Sequence, residues 1–289
     1  MDEWLPPEIE LMTDVSVADW LDERLLPEGE ADGGVQVGEL VPTGFEGYAR
    51  ILHPAHRRVM EGGMGEPVTW AEVARERSKR IHPEVQFQAL VDLPLDHRVT
   101  ESAEYWMPEE GSIPMELCAP LIDVLSRHTG SERCFFCLWD GFGFLHPGSS
   151  MFLVAYRGLR GRLQRRSMRR AARRASRRAQ AATAAIPRVQ IRPAPDRRSA
   201  FREYFLMRGS LESLTSFTFV GHLQSPNIWW PEDRAWVVAT EIDDWTTYVG
   251  GTKACVEDLL ASEVLEVVPS DPTFRWDVRG DRINGADTL

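Results

Sequence analysis

The sequence predicts an α+β protein, a mixed or antiparallel sheet with packed helices, interrupted by an Arg/Ala-rich helical insertion. Three observations carry this reading. Strand-like and helix-like segments follow one another without the regular alternation of a parallel sheet. The continuous apolar run Cys134 to Trp139 has strand length and reads as buried on both faces. A block of 15 arginines and one acid, from Arg157 to Arg198, separates two acidic stretches.

The elements follow in chain order. Ser16 is an N-cap candidate for a helix running through Trp20 and Leu21 to Leu26, ended by Pro27. Val35 to Val41 alternates as a strand does. Thr69 with Glu72 forms a capping box, because hydroxyl and carboxylate reciprocally satisfy first-turn amides, and it opens a helix over Trp70 to Ser78. Leu117, Cys118, Leu121, Ile122 and Leu125 recur at helical spacing within Pro114 to His128, and Pro114 suits a first turn. Beyond the arginine block, Tyr204 to Met207 reads as a strand and Ser210 to Phe217 as a short helix. Trp236 to Ile242 and Thr247 to Val249 read as neighbouring strands, with Gly250 and Gly251 as a turn. Thr252 caps a helix whose Cys255, Val256, Leu259 and Leu260 share a face, and Val264 to Val268 is a strand stopped by Pro269.

The net charge of -11 is unevenly divided. Residues 157–198 carry +14, which leaves 18 basic and 43 acidic residues elsewhere, a net of -25. The organisation predicted is a first half of the body over 1–156, a basic helical arm with a Pro-containing connector over 157–198, and a second half over 199–289. Within the arm the arginine pairs Arg165 and Arg166, Arg169 and Arg170, Arg173 and Arg174, and Arg177 and Arg178 repeat every four residues. On a helix of about 3.6 residues per turn they form a slowly winding stripe. Like charges at i and i+4 repel, so the helix firms when an anion neutralises it. Arginine outnumbers lysine 31 to 2 along the whole chain, which fits GC-rich coding as well as a need for guanidinium groups.

Several strings resemble an uncharacterised protein family of high-GC Gram-positive bacteria (actinobacteria). Leu40 to Phe45, Tyr48 to Pro54 and Trp70 to Ala74 are similar to its start. Ser225 to Trp236, Glu241 to Asp243 and Tyr248 to Gly251 are similar to its C-terminal half. The resemblance covers most of the chain except the arm and implies one continuous fold. It implies no reaction, ligand or catalytic residue.

Cys134 and Cys137 have C-x-x-C spacing, but a strand turns residues three apart to opposite faces, so they read as buried structural thiols. His53, His82 and His146 each precede proline and lack a metal-site partner motif. Glu241 and Asp243 would project from one strand face about 7 Å apart, near Asp244, Glu232 and Asp233, a spacing open to acid–base work, to holding a divalent ion, or to plain solvation or pairing with Arg234. A Gly-x-Ser-x-Gly elbow, a Walker loop and a Gly-x-Gly-x-x-Gly fingerprint after a strand are all missing. Trp229 and Trp230 are adjacent between Pro226 and Pro231, so they cannot both point inward from an extended segment, and one is read as a surface anchor or as lying under a loop.

The expected function is a non-enzymatic binding or interaction protein with a protein partner. Trp229, Trp230, Glu232 and Asp233 form the partner surface, and the arm adds an electrostatic contact. The first alternative is association with the phosphate backbone of RNA or DNA through the eight paired arginines. The second is a hydrolase-like enzyme using the carboxylates near Glu241 and Asp243. Self-association stays open, since the acidic body attracts the arm of another copy. No catalytic residue, metal or cofactor is assigned. No apolar run nears the roughly 18 residues that span a bilayer, and the acidic start does not read as a secretory signal. A cytoplasmic protein without a membrane partner is therefore expected, with the four cysteines reduced.

Overall fold

The computed structural model describes residues 5–27, 35–59, 63–93, 102–145, 185–191, 202–219 and 222–284. Its centre is a nine-stranded sheet in which every pairing is antiparallel. In chain order the first strands and helices are β1 (Glu10–Leu11), α1 (Asp19–Arg24), β2 (Gly47–Leu52), β3 (Ala55–Arg58), β4 (Met64–Val68), α2 (Trp70–Glu76), α3 (Phe87–Leu90), β5 (Tyr105–Trp106), α4 (Met115–Ser126) and β6 (Cys134–Trp139). They are followed by β7 (Val189–Ile191), β8 (Arg202–Gly209), β9 (Thr218–Phe219), β10 (His222–Leu223), β11 (Ile228–Pro231), β12 (Trp236–Thr240), β13 (Thr246–Gly251), α5 (Lys253–Leu260) and β14 (Val267–Ser270). The large sheet runs β1, β8, β6, β11, β12, β13, β2, β14, and β7 pairs with β8. The α+β class thus holds, and strands from before and after the arginine block interleave in one sheet.

The pleat sends alternate residues into two different cores, which is the key to the fold. Phe136, Trp229, Trp236, Val238, Val249 and Ile51 face one side, packed with Leu121 and Leu125 of α4 and Leu259 of α5. Phe135, Trp230, Val237, Tyr248 and Leu206 face the other, beneath Trp20 and Leu21 of α1. Covering on both faces keeps these strands apolar throughout rather than alternating with polar residues. A smaller sheet, β4-β3-β5, joins α2 and α3 around a third core with Trp70 and Phe87.

Several local expectations need correction. Residues 35–41 form no strand. Gln36 and Glu39 close a capping box around the 3-10 turn Val37–Glu39. Gly250 and Gly251 are strand rather than turn, paired with Tyr48 and Gly47. A Cβ on Gly250 would lie 2.8 Å from the Phe45 ring, so that strand needs glycine to pass beneath it. Pro269 does not stop β14 but lies within it, tolerated because β14 is an edge strand. Residues 189–191 of the expected connector form β7. The early helix is split, with the 3-10 turn Ser16–Ala18 preceding α1 and Asp14 capping Ser16. The expected helix Ser210 to Phe217 is a 3-10 helix, Leu211–Ser216. The capping box Thr69–Glu72 opens α2 as expected, and Glu266 strengthens that end by accepting from Trp70 N at 2.7 Å and Ala71 N at 2.6 Å.

Candidate functional site

The structure corrects the reading of Trp229 and Trp230. Both are 0% exposed. Successive residues do point to opposite sides, but each side has its own core, so neither ring reaches a surface. Trp229 meets Trp236 edge to face with ring centres 5.2 Å apart, and Trp230 meets Trp20 at 5.8 Å. Glu232 and Asp233 are exposed at the turn between β11 and β12. Asp233 is occupied locally, accepting from the Thr129 hydroxyl and from Gly130 N at 2.8 Å. A partner surface made of all four residues is therefore not assembled.

Glu241 and Asp243 also part from expectation, because β12 ends at Thr240 and residues 241–245 turn. The two acids do not share a strand face. Glu241 is buried and paired with the Arg202 guanidinium, while Asp243 is exposed. Burial pushes the Glu241 carboxyl up and Arg202 opposes that push.

Antiparallel register gathers a polar region at one end of the large sheet. The last residues of β2, β6 and β12 lie there beside the first of β8, β11 and β13. His53, directly after β2, is fully buried, with Nδ1 2.9 Å from the Glu109 carbonyl and Nε2 2.9 Å from Thr247 Oγ1. A carbonyl only accepts, so Nδ1 carries the proton and Nε2 accepts from Thr247. Thr247 in turn accepts from Thr240 at 2.8 Å. Burial, before any charge effect, lowers the His53 pKa to about 4, which keeps the ring neutral. The loop 107–113 lies on the 241–245 turn, and Gly111 N donates to the Asp244 carbonyl at 2.9 Å. Gly111 has φ +71, and a Cβ there would stand 2.5 Å from the Ile242 carbonyl oxygen, so only glycine fits.

The same end carries an acidic rim. Desolvation and then the charge of Glu116 push the Glu109 carboxyl up to about 7. Glu110 is raised by desolvation and by Asp243 and Asp244. The arginine block is rooted here as well. Leu145 before the block and Ile186 within it pack into the same core. Arg188 Nε donates to Asp140 Oδ2 at 3.1 Å, and Arg202 opens β8. The described residues on either side of 146–184 thus lie near one end of the sheet. The eight paired arginines, Arg165 to Arg178, lie outside the described residues, as does His146.

The cysteines behave as strand geometry requires. Cys134 faces one core and Cys137 the other, all four thiols are free and buried, and burial raises their pKa values, Cys134 to about 12. Among the described residues no group of three or more His, Cys, Asp or Glu is arranged to hold a metal ion, and no helix is long and apolar enough to cross a membrane.

Sequence reasoning missed the buried cation Arg50 on β2. Its Nε donates to Thr246 Oγ1 at 3.1 Å and its Nη1 to the Val85 carbonyl at 2.8 Å. Thr246 donates onward to Asp244 Oδ2 at 2.7 Å, so a hydroxyl bridges guanidinium and carboxylate. An arginine between Ala49 and Ile51 in an apolar strand was the available signal. No protein-family model, curated protein or solved structure matches the chain.

Proposed function

We propose that the protein is a binding protein whose partner contact is the cationic segment, with the phosphate backbone of a nucleic acid as ligand. The observation that supports this best is the charge partition: +14 within residues 157–198, against -25 elsewhere, on a segment rooted at a single end of a two-sided sheet. Arginine pairs contact phosphates without reading sequence, and each phosphate neutralised releases counterions. Residues 157–198 hold no aromatic residue, with Tyr156 and Phe201 only at the borders, so base stacking contributes little and duplexes suit the segment better than single strands. The negative charge of the body discourages wrapping by the polyanion. Burial of Trp229 and Trp230 removes the main argument for a tryptophan-based protein interface.

Fluorescence anisotropy with short RNA and DNA duplexes tests the proposal, comparing the intact chain with a deletion of residues 162–180 at two salt concentrations. The expected result is binding that weakens steeply with salt and is lost on deletion. Binding that survives deletion would move the contact elsewhere, and no binding by either protein would assign the arm to protein contacts.

A further inference from the structure

The turn at residues 281–284 is closed by Asn284, which is 6% exposed. Arg80 N donates to its Oδ1 at 2.9 Å, and its Nδ2 donates to the Arg80 carbonyl at 2.8 Å and to Asp281 Oδ2 at 3.1 Å. The backbone is held as well. Asn284 N donates to Asp281 Oδ1 at 2.8 Å, and Lys79 Nζ donates to the Asn284 carbonyl at 3.1 Å. One side chain thus ties the turn to residue 80, and both contacts made by Nδ2 require a donor at that atom. The sequence places Gly285 directly after it. The chain has two asparagines, and the other, Asn227, is followed by the branched Ile228.

Asparagine is thermally labile because the amide nitrogen of the next residue attacks its side-chain carbonyl, and glycine, with no Cβ, leaves that approach open. We infer that Asn284 is a site of spontaneous deamidation, and that the 281–284 turn both restrains the reaction and is released by it. The Gly285 nitrogen gives up its proton and bonds to Asn284 Cγ, the Cγ–Nδ2 bond breaks, and Nδ2 leaves as ammonia. Water then opens the five-membered ring at either carbonyl, giving aspartate or isoaspartate. One water is consumed, one ammonia is lost and a carboxylate is formed, with nothing oxidised or reduced. A carboxylate only accepts, so oxygen in place of Nδ2 sets acceptor against acceptor at the Arg80 carbonyl and at Asp281 Oδ2, inside a buried turn. The same contacts slow the reaction. With Oδ1 and Nδ2 both held, the rotation that brings Cγ to the attacking nitrogen waits on local opening of the turn, which Asp281 resists. The inference is independent of the arm.

Incubation of the full chain at mildly alkaline pH, followed by peptide mapping with mass spectrometry, tests it beside Gly285→Ala, Asp281→Ala and the wild type unfolded in guanidinium chloride. Wild-type Asn284 is expected to convert to a mixture of aspartate and isoaspartate, several-fold more slowly than in the unfolded chain. Asp281→Ala should speed conversion of the folded protein several-fold, and Gly285→Ala should slow it in both states. Converted wild type, separated from the remainder by its added negative charge, should show a lower Tm, and Asn284→Asp should match its aspartate form. The inference is overturned if Asn284 stays intact in the folded wild type while the unfolded chain converts completely, or if converted and unconverted protein melt alike. Equal rates in wild type, Asp281→Ala and the unfolded chain overturn it too, because the turn then restrains nothing.

Discussion

Replacing Asp281 is expected to loosen the C-terminal turn in a way that depends on pH. The Asp281 side chain is 0% exposed and accepts from His82 Nε2 at 2.9 Å, Gln86 N at 3.0 Å, Ile283 N at 3.1 Å and Asn284 N at 2.8 Å. Asn284 then holds residue 80 through both its amide atoms. Burial alone would raise this carboxyl, but the hydrogen bond from His82 and those from Asn284 and Gln86 outweigh it and bring the pKa to about 2 from 3.8. A fall of nearly two units stabilises the folded chain by roughly 2.5 kcal/mol at neutral pH. The sign follows from the depressed value: the contribution is complete above the unfolded pKa and disappears as pH falls through the folded one. Integrating the linkage leaves about half of it at pH 3. Urea unfolding of wild type and Asp281→Asn at pH 7, 5, 4 and 3 measures the difference directly. The stability gap should be about 2 kcal/mol at pH 7 and 5, and should narrow toward pH 3. A gap of constant size across that range would refute the electrostatic account and leave only lost packing.

Two further outcomes follow from the placement of the tryptophans and the rim. Trp230→Ala should lower stability by about 3–5 kcal/mol in denaturant unfolding, because it opens a cavity beneath Trp20 and Phe135. Lost partner binding with unchanged stability would put the ring back at a surface. The double variant Glu110→Gln, Asp243→Asn removes two negative charges from the end of the sheet where the cationic segment is rooted. Anisotropy titrations with duplex should then tighten about twofold per charge at low salt, as expected for charges roughly 10 Å apart in water, and less at physiological salt. Unchanged affinity would separate the arm's contact from that rim.

What was legible in the sequence was mostly local. The Thr69–Glu72 box and the apolar period of α4 each lie within a few turns of chain, and the structure shows both. The six-residue run of β6 needed only its composition. Features joining distant segments were out of reach. Glu266 reaches the α2 N-terminus across 196 residues, and Asp281 reaches Gln86 across 195. Gly250 and Gly251 read as a turn because glycine is the usual turn residue, and only the neighbouring Phe45 ring and Cys255 explain glycine inside a strand. The spacing of Glu241 and Asp243 misled because it presumed that β12 continued, whereas the chain turns after Thr240 and commits Glu241 to Arg202.

The tryptophan pair shows how one property of the sheet redirects a functional argument. The run Cys134 to Trp139 already implied a strand covered on both faces, and β11 is its direct neighbour in the sheet. A strand beside a doubly covered strand inherits both layers, so the rule that adjacent side chains point apart no longer sends either to solvent. Applied to Ile228–Pro231, that reasoning buries both indoles and shifts attention from the sheet's faces to its ends. At one end lie the buried His53, the paired Glu241 and Arg202, and the root of the cationic segment.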